Sequence, residues 1–294
     1  MLRAASGPAR SGFRLMGIVN VTPDSFSDGG QFLQADAAVA HGLQLIGEGA
    51  QIVDVGGEST RPGAEPVAAE EELRRVQPVI EGLATAATGA QISIDTSKAS
   101  VARAALAAGA TLVNDVTALR GDRLMAGAVA ESGADCCLMH MLGEPRTMQR
   151  EPRYGDVVDD VKEFLLQRMD FAVREGIEER RLLLDPGIGF GKTVEHNLQL
   201  LARLDELASL GRPLVIGTSR KGFLGRIGGD AGERSEIGPR RLAATVASNV
   251  LALERGASVF RVHEVAPLRE ALAVAAATLG GRWTTSPEAT TPTS

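Results

Sequence analysis

Aromatic side chains are scarce in this 294-residue chain: one Trp, one Tyr and eight Phe amount to 3% of it. The core must therefore be aliphatic and alanine-rich, drawn from the 44% of residues that are hydrophobic. Cysteine is scarcer still, with Cys136 and Cys137 side by side in an apolar run. Neighbours on a strand point to opposite faces, so the pair reads as small buried hydrophobes and not as a disulfide. That usage fits a reducing, cytoplasmic setting. Histidine is confined to His41, His140, His196 and His263, without the Cys/His spacing of a zinc site. No apolar run approaches the ~18 residues of a membrane span. A basic surface is missing as well. The formal net charge of −6 argues against a nucleic-acid partner, although a few cations in a cleft can still hold an anion.

The ends carry little. Residues 1–14 contain arginines but no apolar signal region and read as a flexible leader. Residues 284–294 are rich in Thr, Ser and Pro and read as a disordered tail. Between them, 15–283 is long enough for one large domain. Within it a unit recurs: a helical stretch ends in Gly-Ala and an apolar strand follows. It appears at Gly49-Ala50, Gly109-Ala110, Gly133-Ala134 and Gly256-Ala257. Glycine just past a helix end turns the chain back, and the alternation predicts parallel strands with helices between. Strands are expected to end near Asn20, Gly56, Asp95, Asp115, His140, Asp185, Gly217 and His263. Helices are expected over 35–48, 70–84, 101–108, 159–174, 194–207 and 239–254, with Ser97 and Ser100 as caps of the third. Eight parallel strands with polar residues at nearly every end predict a TIM (β/α)8 barrel in a single domain. A doubly wound open sheet would gather its polar ends at one switch point.

The stretch Asp185-Pro186-Gly187-Ile188-Gly189-Phe190-Gly191-Lys192-Thr193 ends the apolar run Leu182 to Leu184. Its tail imitates a phosphate-binding P-loop, but Pro186 stands where that motif needs glycine. The functional group here is Asp185, and the glycines shape its surroundings. Asp95 and Asp185 as acceptors, with the amide of Asn114, suit a flat heterocycle that presents adjacent N–H donors. The alternative for Asp95 is a helix cap. Arg61, Lys221, Arg261 and His263 gather positive charge for a phosphate or diphosphate. Thr60 and Met139 share the same rim. The first loop, Asn20 to Gly30, is long and polar around Phe26, as a mobile lid would be. Phe26 would cover a ring, with Asp28 and Asn20 at polar groups. An Asn20 oxygen also suits Mg²⁺ carried on a diphosphate. His140 reads as structural.

Two of these segments, Gly17-Ile18-Val19-Asn20-Val21-Thr22-Pro23-Asp24-Ser25-Phe26-Ser27-Asp28-Gly29-Gly30 and Asp54-Val55-Gly56-Gly57-Glu58-Ser59-Thr60-Arg61-Pro62-Gly63, closely resemble the signatures of the dihydropteroate synthase family. Ile94-Asp95-Thr96, Asn114-Asp115-Val116, the Asp185 stretch, Ser219-Arg220-Lys221 and Arg261-Val262-His263 are similar in family order. The resemblance implies a barrel enzyme of folate synthesis. It would join 6-hydroxymethyl-7,8-dihydropterin diphosphate to 4-aminobenzoate, releasing diphosphate by a dissociative, Mg²⁺-assisted route. It implies that Asp95, Asn114, Asp185 and Lys221 hold the pterin. Arg261 would stack on the ring and, with His263 and Asn20, hold the diphosphate and metal. Thr60, Arg61, Phe26 and Asp28 would come from two mobile loops. Phe190 would meet the aminobenzoate, where sulfonamides compete. A homodimer is implied as well. The family pattern often has Ser after the Arg-Lys pair, whereas this chain has Gly222. Two other readings are a methyltetrahydrofolate–corrinoid methyltransferase domain and a catalytically silent pterin-binding paralogue.

Overall fold

The computed structural model describes residues 12–22, 31–60, 63–228 and 239–281. Eight strands form one parallel sheet. They are β1 (Arg14–Asn20), β2 (Ile52–Gly56), β3 (Gln91–Asp95), β4 (Leu112–Asp115), β5 (Asp135–Met139), β6 (Leu182–Asp185), β7 (Val215–Ile216) and β8 (Val259–Val262). Helices α1 (Gln31–Glu48), α2 (Ala69–Thr85), α3 (Ala99–Ala107), α4 (Met125–Ser132), α5 (Val157–Arg174), α6 (Val194–Ala202), α7 (Leu204–Ala208), α8 (Gly222–Ile227), α9 (Pro239–Glu254) and α10 (Val265–Gly280) alternate with them. The strand order β6-β5-β4-β3-β2-β1-β8-β7 leaves β6 and β7 as its two ends. Those ends meet: Leu184 bridges Leu214 in parallel, and the Leu184 N–H donates to the Pro213 carbonyl at 3.0 Å. The sheet therefore closes into the expected (β/α)8 barrel in one domain.

The alternation of side chains sorts every strand into two faces. Met16, Ile52, Leu112, Cys137, Leu183, Val215 and Val259 pack together inside the barrel as an apolar floor. Cys136 lies instead in the larger cluster between barrel and helices. The adjacent cysteines thus occupy opposite faces as free thiols, and burial pushes both pKa values up. Counting in steps of two from that floor toward the strand ends gives the residues that must face the mouth. They are Ile18 and Asn20, Asp54 and Gly56, Asn114, Met139, Asp185 and Arg261. Ser93 and Asp95 join them through register, Ser93 opposite Asp54 and Asp95 opposite Gly56 and Asn114.

Four of the six expected helices fall within two residues of those observed, while α1 begins four residues before its expected start and α4 and α10 match no expected helix. Two further details differ. The stretch expected as one helix over 194–207 is broken at Arg203 into α6 and α7. Ser97 and Ser100 do not cap α3. Its N-cap is Lys98, without a side-chain cap, and the Ala99 N–H is met by Asp122 Oδ2 at 2.9 Å from the next loop. A tertiary partner has replaced the local cap. Gly133 closes α4 in the left-handed region at φ 66°, as its place before Ala134 predicts. At the start of the barrel Phe13 packs edge-on against Phe260, with ring centres 6.3 Å apart.

Candidate active site at the barrel mouth

Above the apolar floor sits a layer of charge. Arg261 enters from β8, with its Nε donating to Asp54 Oδ2 at 2.7 Å and its other end donating to Asp95 Oδ2 at 2.8 Å. Asp54 also accepts from the Ser93 hydroxyl at 2.6 Å and from Asn114 Nδ2 at 3.0 Å. The guanidinium is thus spanned between two carboxylates, an arrangement that offsets the several kcal/mol lost when each charge leaves water. Asp95 is only partly compensated. Burial raises its carboxyl to about 7, against the opposing pull of Arg261, and Asp54 adds to the rise. The helix-cap alternative for Asp95 gives way to this ion pair.

The other wall is the loop after β6. Asp185 is buried and accepts from the Gly187 N–H at 2.7 Å, and burial raises its pKa. Gly187 has φ 66°, and a Cβ there would stand 1.8 Å from the His140 carbonyl oxygen, so only glycine can occupy this turn. The polypeptide that follows is pinned by side chains from all around. Lys221 Nζ donates to the Ile188 carbonyl at 2.6 Å, and Gln149 Nε2 to the Gly189 carbonyl at 2.6 Å. Tyr154 donates its hydroxyl to the Gly191 carbonyl at 2.8 Å, and Asn197 Oδ1 accepts from the Gly189 N–H at 2.7 Å. Lys221 Nζ also lies 4.1 Å over the centre of the Phe190 ring, and burial lowers its pKa to about 8. Phe190 packs on a cluster of Val116, Met139, Met141 and Met148, so Met139 lines the wall beneath it.

On the third side, Ser219 stands 2.9 Å from His263 Nδ1 and fixes that ring. Arg220, held at φ 60°, donates its Nε to Glu264 Oε1 at 2.8 Å. The strained residue faces Glu264, which leaves its neighbour Lys221 turned into the mouth. Gly222 opens α8, and a Cβ there would meet nothing within 4 Å. The missing hydroxyl is therefore a matter of chemistry and not of packing.

Asn20, Asp95, Asn114, Met139, Asp185, Phe190, Lys221, Arg261 and His263 are thus gathered at one end of the barrel, and Thr60 follows β2 on the same rim. Phe26, Asp28 and Arg61 lie outside the described residues. Two buried groups were not anticipated as functional. Asp54, in the middle of Ile52–Gly56, opens the second signature segment, but the sequence assigns it no role. Lys192 is also buried, with its Nζ 2.9 Å from His140 Nδ1 and donating to the Phe190 carbonyl at 3.0 Å. Burial lowers Lys192 to about 7 and His140 to about 2, so His140 is a neutral acceptor, structural as expected. Asp115 points outward and accepts from the Thr117 and Leu119 N–H groups at 2.8 Å each, holding its own loop.

The mouth offers carboxylates and an amide on one side and cations on the other. It can therefore grip a flat ring with adjacent N–H donors and an anionic substituent together. The known proteins similar to this chain agree with that character. The model of the pterin binding enzyme family matches residues 16–263. The dihydropteroate synthase of Escherichia coli is 45% identical over 269 residues, spanning 91% of this chain and 92% of its own. A Xanthomonas albilineans dihydropteroate synthase solved with 4-aminobenzoic acid is 50% identical, with a TM-score of 0.83 over 92% of this chain and 94% of its own. The same enzyme solved with 7,8-dihydropteroate matches at 48% identity, with a TM-score of 0.81 over 92% and 95% of the two chains. With its fold and nearly its whole length matched to these proteins, the chain belongs to the dihydropteroate synthase family of pterin-binding enzymes.

Proposed function

We propose that the chain condenses 6-hydroxymethyl-7,8-dihydropterin diphosphate with 4-aminobenzoate to give 7,8-dihydropteroate and diphosphate. The observation that carries this reading is the cluster of buried Asn114 and Asp185 with the partly buried Asp95, gathered with Lys221 and Arg261 at one barrel mouth. The carboxylates and the amide take the donor edge of the pterin. Arg261 and His263 face its diphosphate, and Phe190 faces the aminobenzoate. Thr60, Arg61, Phe26 and Asp28 are assigned to the same reaction by the two signature segments that carry them. The C–O bond to the methylene breaks, the diphosphate leaves with the electron pair, and positive charge spreads into the electron-rich ring. The neutral aromatic amine then forms the C–N bond and releases a proton to solvent. No strong base is required. What this reaction gains most from is stabilisation of the departing anion by fixed cations.

Mg²⁺ fits this donor set as a passenger of the diphosphate. Among the described residues no group of three or more His, Cys, Asp or Glu side chains is placed to hold a metal. Asn20 supplies an amide oxygen at the end of β1, which suits a hard cation that keeps most of its waters. Bound there, Mg²⁺ would neutralise charge on the leaving diphosphate. No helix among the described residues is long and apolar enough to cross a membrane. A cytoplasmic homodimer, as the family resemblance implies, is part of the same proposal, and the free thiols fit a reducing compartment.

The test is diphosphate release from the pterin diphosphate with Mg²⁺, with and without 4-aminobenzoate, while dihydropteroate is followed by chromatography. Release coupled to dihydropteroate is the expected result. Pterin binding without coupled product would overturn the reading in favour of a silent paralogue, and methyl transfer from methyltetrahydrofolate would favour the methyltransferase.

A further inference from the structure

Asp54 lies inside the barrel with no exposed surface, so no substrate can touch it. Yet it contacts the groups that face the substrate. Its Oδ2 accepts from Arg261 Nε at 2.7 Å and from Asn114 Nδ2 at 3.0 Å, and its Oδ1 accepts from the Ser93 hydroxyl at 2.6 Å. The Ser93 bond fixes the rotation of the carboxylate, because Ser93 stands opposite Asp54 in the β2–β3 register. The chemistry of the two remaining bonds is directional. An ionised carboxylate only accepts, so Asn114 must turn its NH₂ toward it. That settles which way the amide faces: one N–H is committed to Asp54, and the other N–H with Oδ1 is left for a ligand. Arg261 is likewise held at Nε, which leaves the far end of the guanidinium to Asp95 at 2.8 Å.

We propose that Asp54 is a positioning residue for pterin recognition, setting the amide sense of Asn114 and the seat of the Arg261 guanidinium from beneath the pocket. This rests on the pterin site described above and deepens it. It assigns part of the selectivity for the pterin edge to a residue that never meets the pterin. The nearest isostere, Asp54→Asn, keeps the shape of the side chain but can present either an oxygen or an NH₂ upward. Asn114 then loses its fixed sense, and Arg261 loses the anion under Nε.

The electrostatic consequence gives a readout that packing alone would not move. Asp95 faces Arg261 and Lys221 as cations and Asp54, Glu72 and Asp115 as anions. Asp54 is the foremost of those anions in holding the Asp95 carboxyl up. Removing its charge lets Asp95 ionise at lower pH.

The experiment compares wild type and Asp54→Asn in steady-state kinetics with each substrate varied in turn across pH, with thermal melts to show that both are folded. The variant is expected to raise the KM for pterin diphosphate by about tenfold or more. The KM for 4-aminobenzoate should stay within about twofold, and the acid limb of kcat/KM for the pterin should move to lower pH. A folded variant with wild-type pterin KM and an unmoved acid limb would overturn the proposal. Equal loss toward both substrates with an unmoved limb would also overturn it, since that is the mark of general damage. If Asp54→Asn does not fold, Ser93→Ala decides. It frees the carboxylate to rotate while keeping its charge, and an unchanged pterin KM in that variant would count against the idea. A wild-type enzyme that fails to bind the pterin would instead remove the pocket reading itself.

Discussion

Asp95 and Lys221 place opposite protonation demands on one pocket. Burial raises the Asp95 carboxyl to about 7 and lowers the Lys221 amine to about 8. A pterin edge that donates N–H groups needs the carboxylate, and an acceptor on the ring needs the ammonium. Both charged forms predominate together around and between those values. Pterin diphosphate affinity, titrated calorimetrically from about pH 5.5 to 9.5, is therefore expected to peak between about 7 and 8 and to fall on both sides. A flat profile across that range would show that neither group changes charge in the free enzyme. These two residues were legible in the sequence because each ends or follows an apolar strand, where a charge without a purpose is expensive. Asp54 was not assigned a role for the opposite reason. Its partners Ser93, Asn114 and Arg261 lie 39, 60 and 207 positions away, and only the closed barrel brings them together.

At the scale of the element, the loop after β6 depends on backbone geometry as much as on side chains. Gly187 donates its N–H to Asp185 while its α-carbon passes directly against the His140 carbonyl of the next strand end. Adding one methyl group places a carbon 1.8 Å from that oxygen, which a backbone atom cannot easily evade. Gly187→Ala is expected to lower stability by about 3 kcal/mol or more, through overpacking and a strained left-handed φ. It should also displace Asp185, so pterin binding falls in whatever folded fraction remains. Thermal melting and calorimetry on the purified variant check both, and a wild-type melting temperature would contradict the geometry. The glycine-rich run announced this turn in the sequence, but not its reason. Strand ends and most helices were legible because their signals are local: apolar runs, Gly-Ala caps, amphipathic spacing. The break at Arg203 and the capping of α3 by Asp122 were not, because Arg203 is drawn to Asp156 and Ala99 to another loop, partners no local pattern encodes.

The whole molecule carries its site at a cost in stability. The apolar floor of the barrel could have continued upward; instead Asp54 and Asp185 are buried near the strand ends, with Asp95 partly buried beside them. Asp95 makes the cost measurable. Its folded pKa of about 7 stands above the ordinary 3.8, so its favourable contribution is complete below about 4 and is lost as pH rises through about 7. The difference of roughly three pKa units corresponds to an upper bound of about 4 kcal/mol. Asn cannot ionise, and Arg261 would keep its bond to Asp54. The ligand-free Asp95→Asn variant is therefore expected to melt above wild type at about pH 8, with the gain vanishing near pH 4. At about 2–4 °C per kcal/mol the shift is readable by scanning calorimetry. The same variant should lose pterin affinity, since the acceptor it removes is the one the ring requires. Higher stability with weaker binding would mark Asp95 as a group kept for function against the interest of the fold. A variant less stable than wild type at pH 8 would show instead that the Asp95–Arg261 ion pair outweighs the burial of its charge, and that the site helps to hold the barrel together.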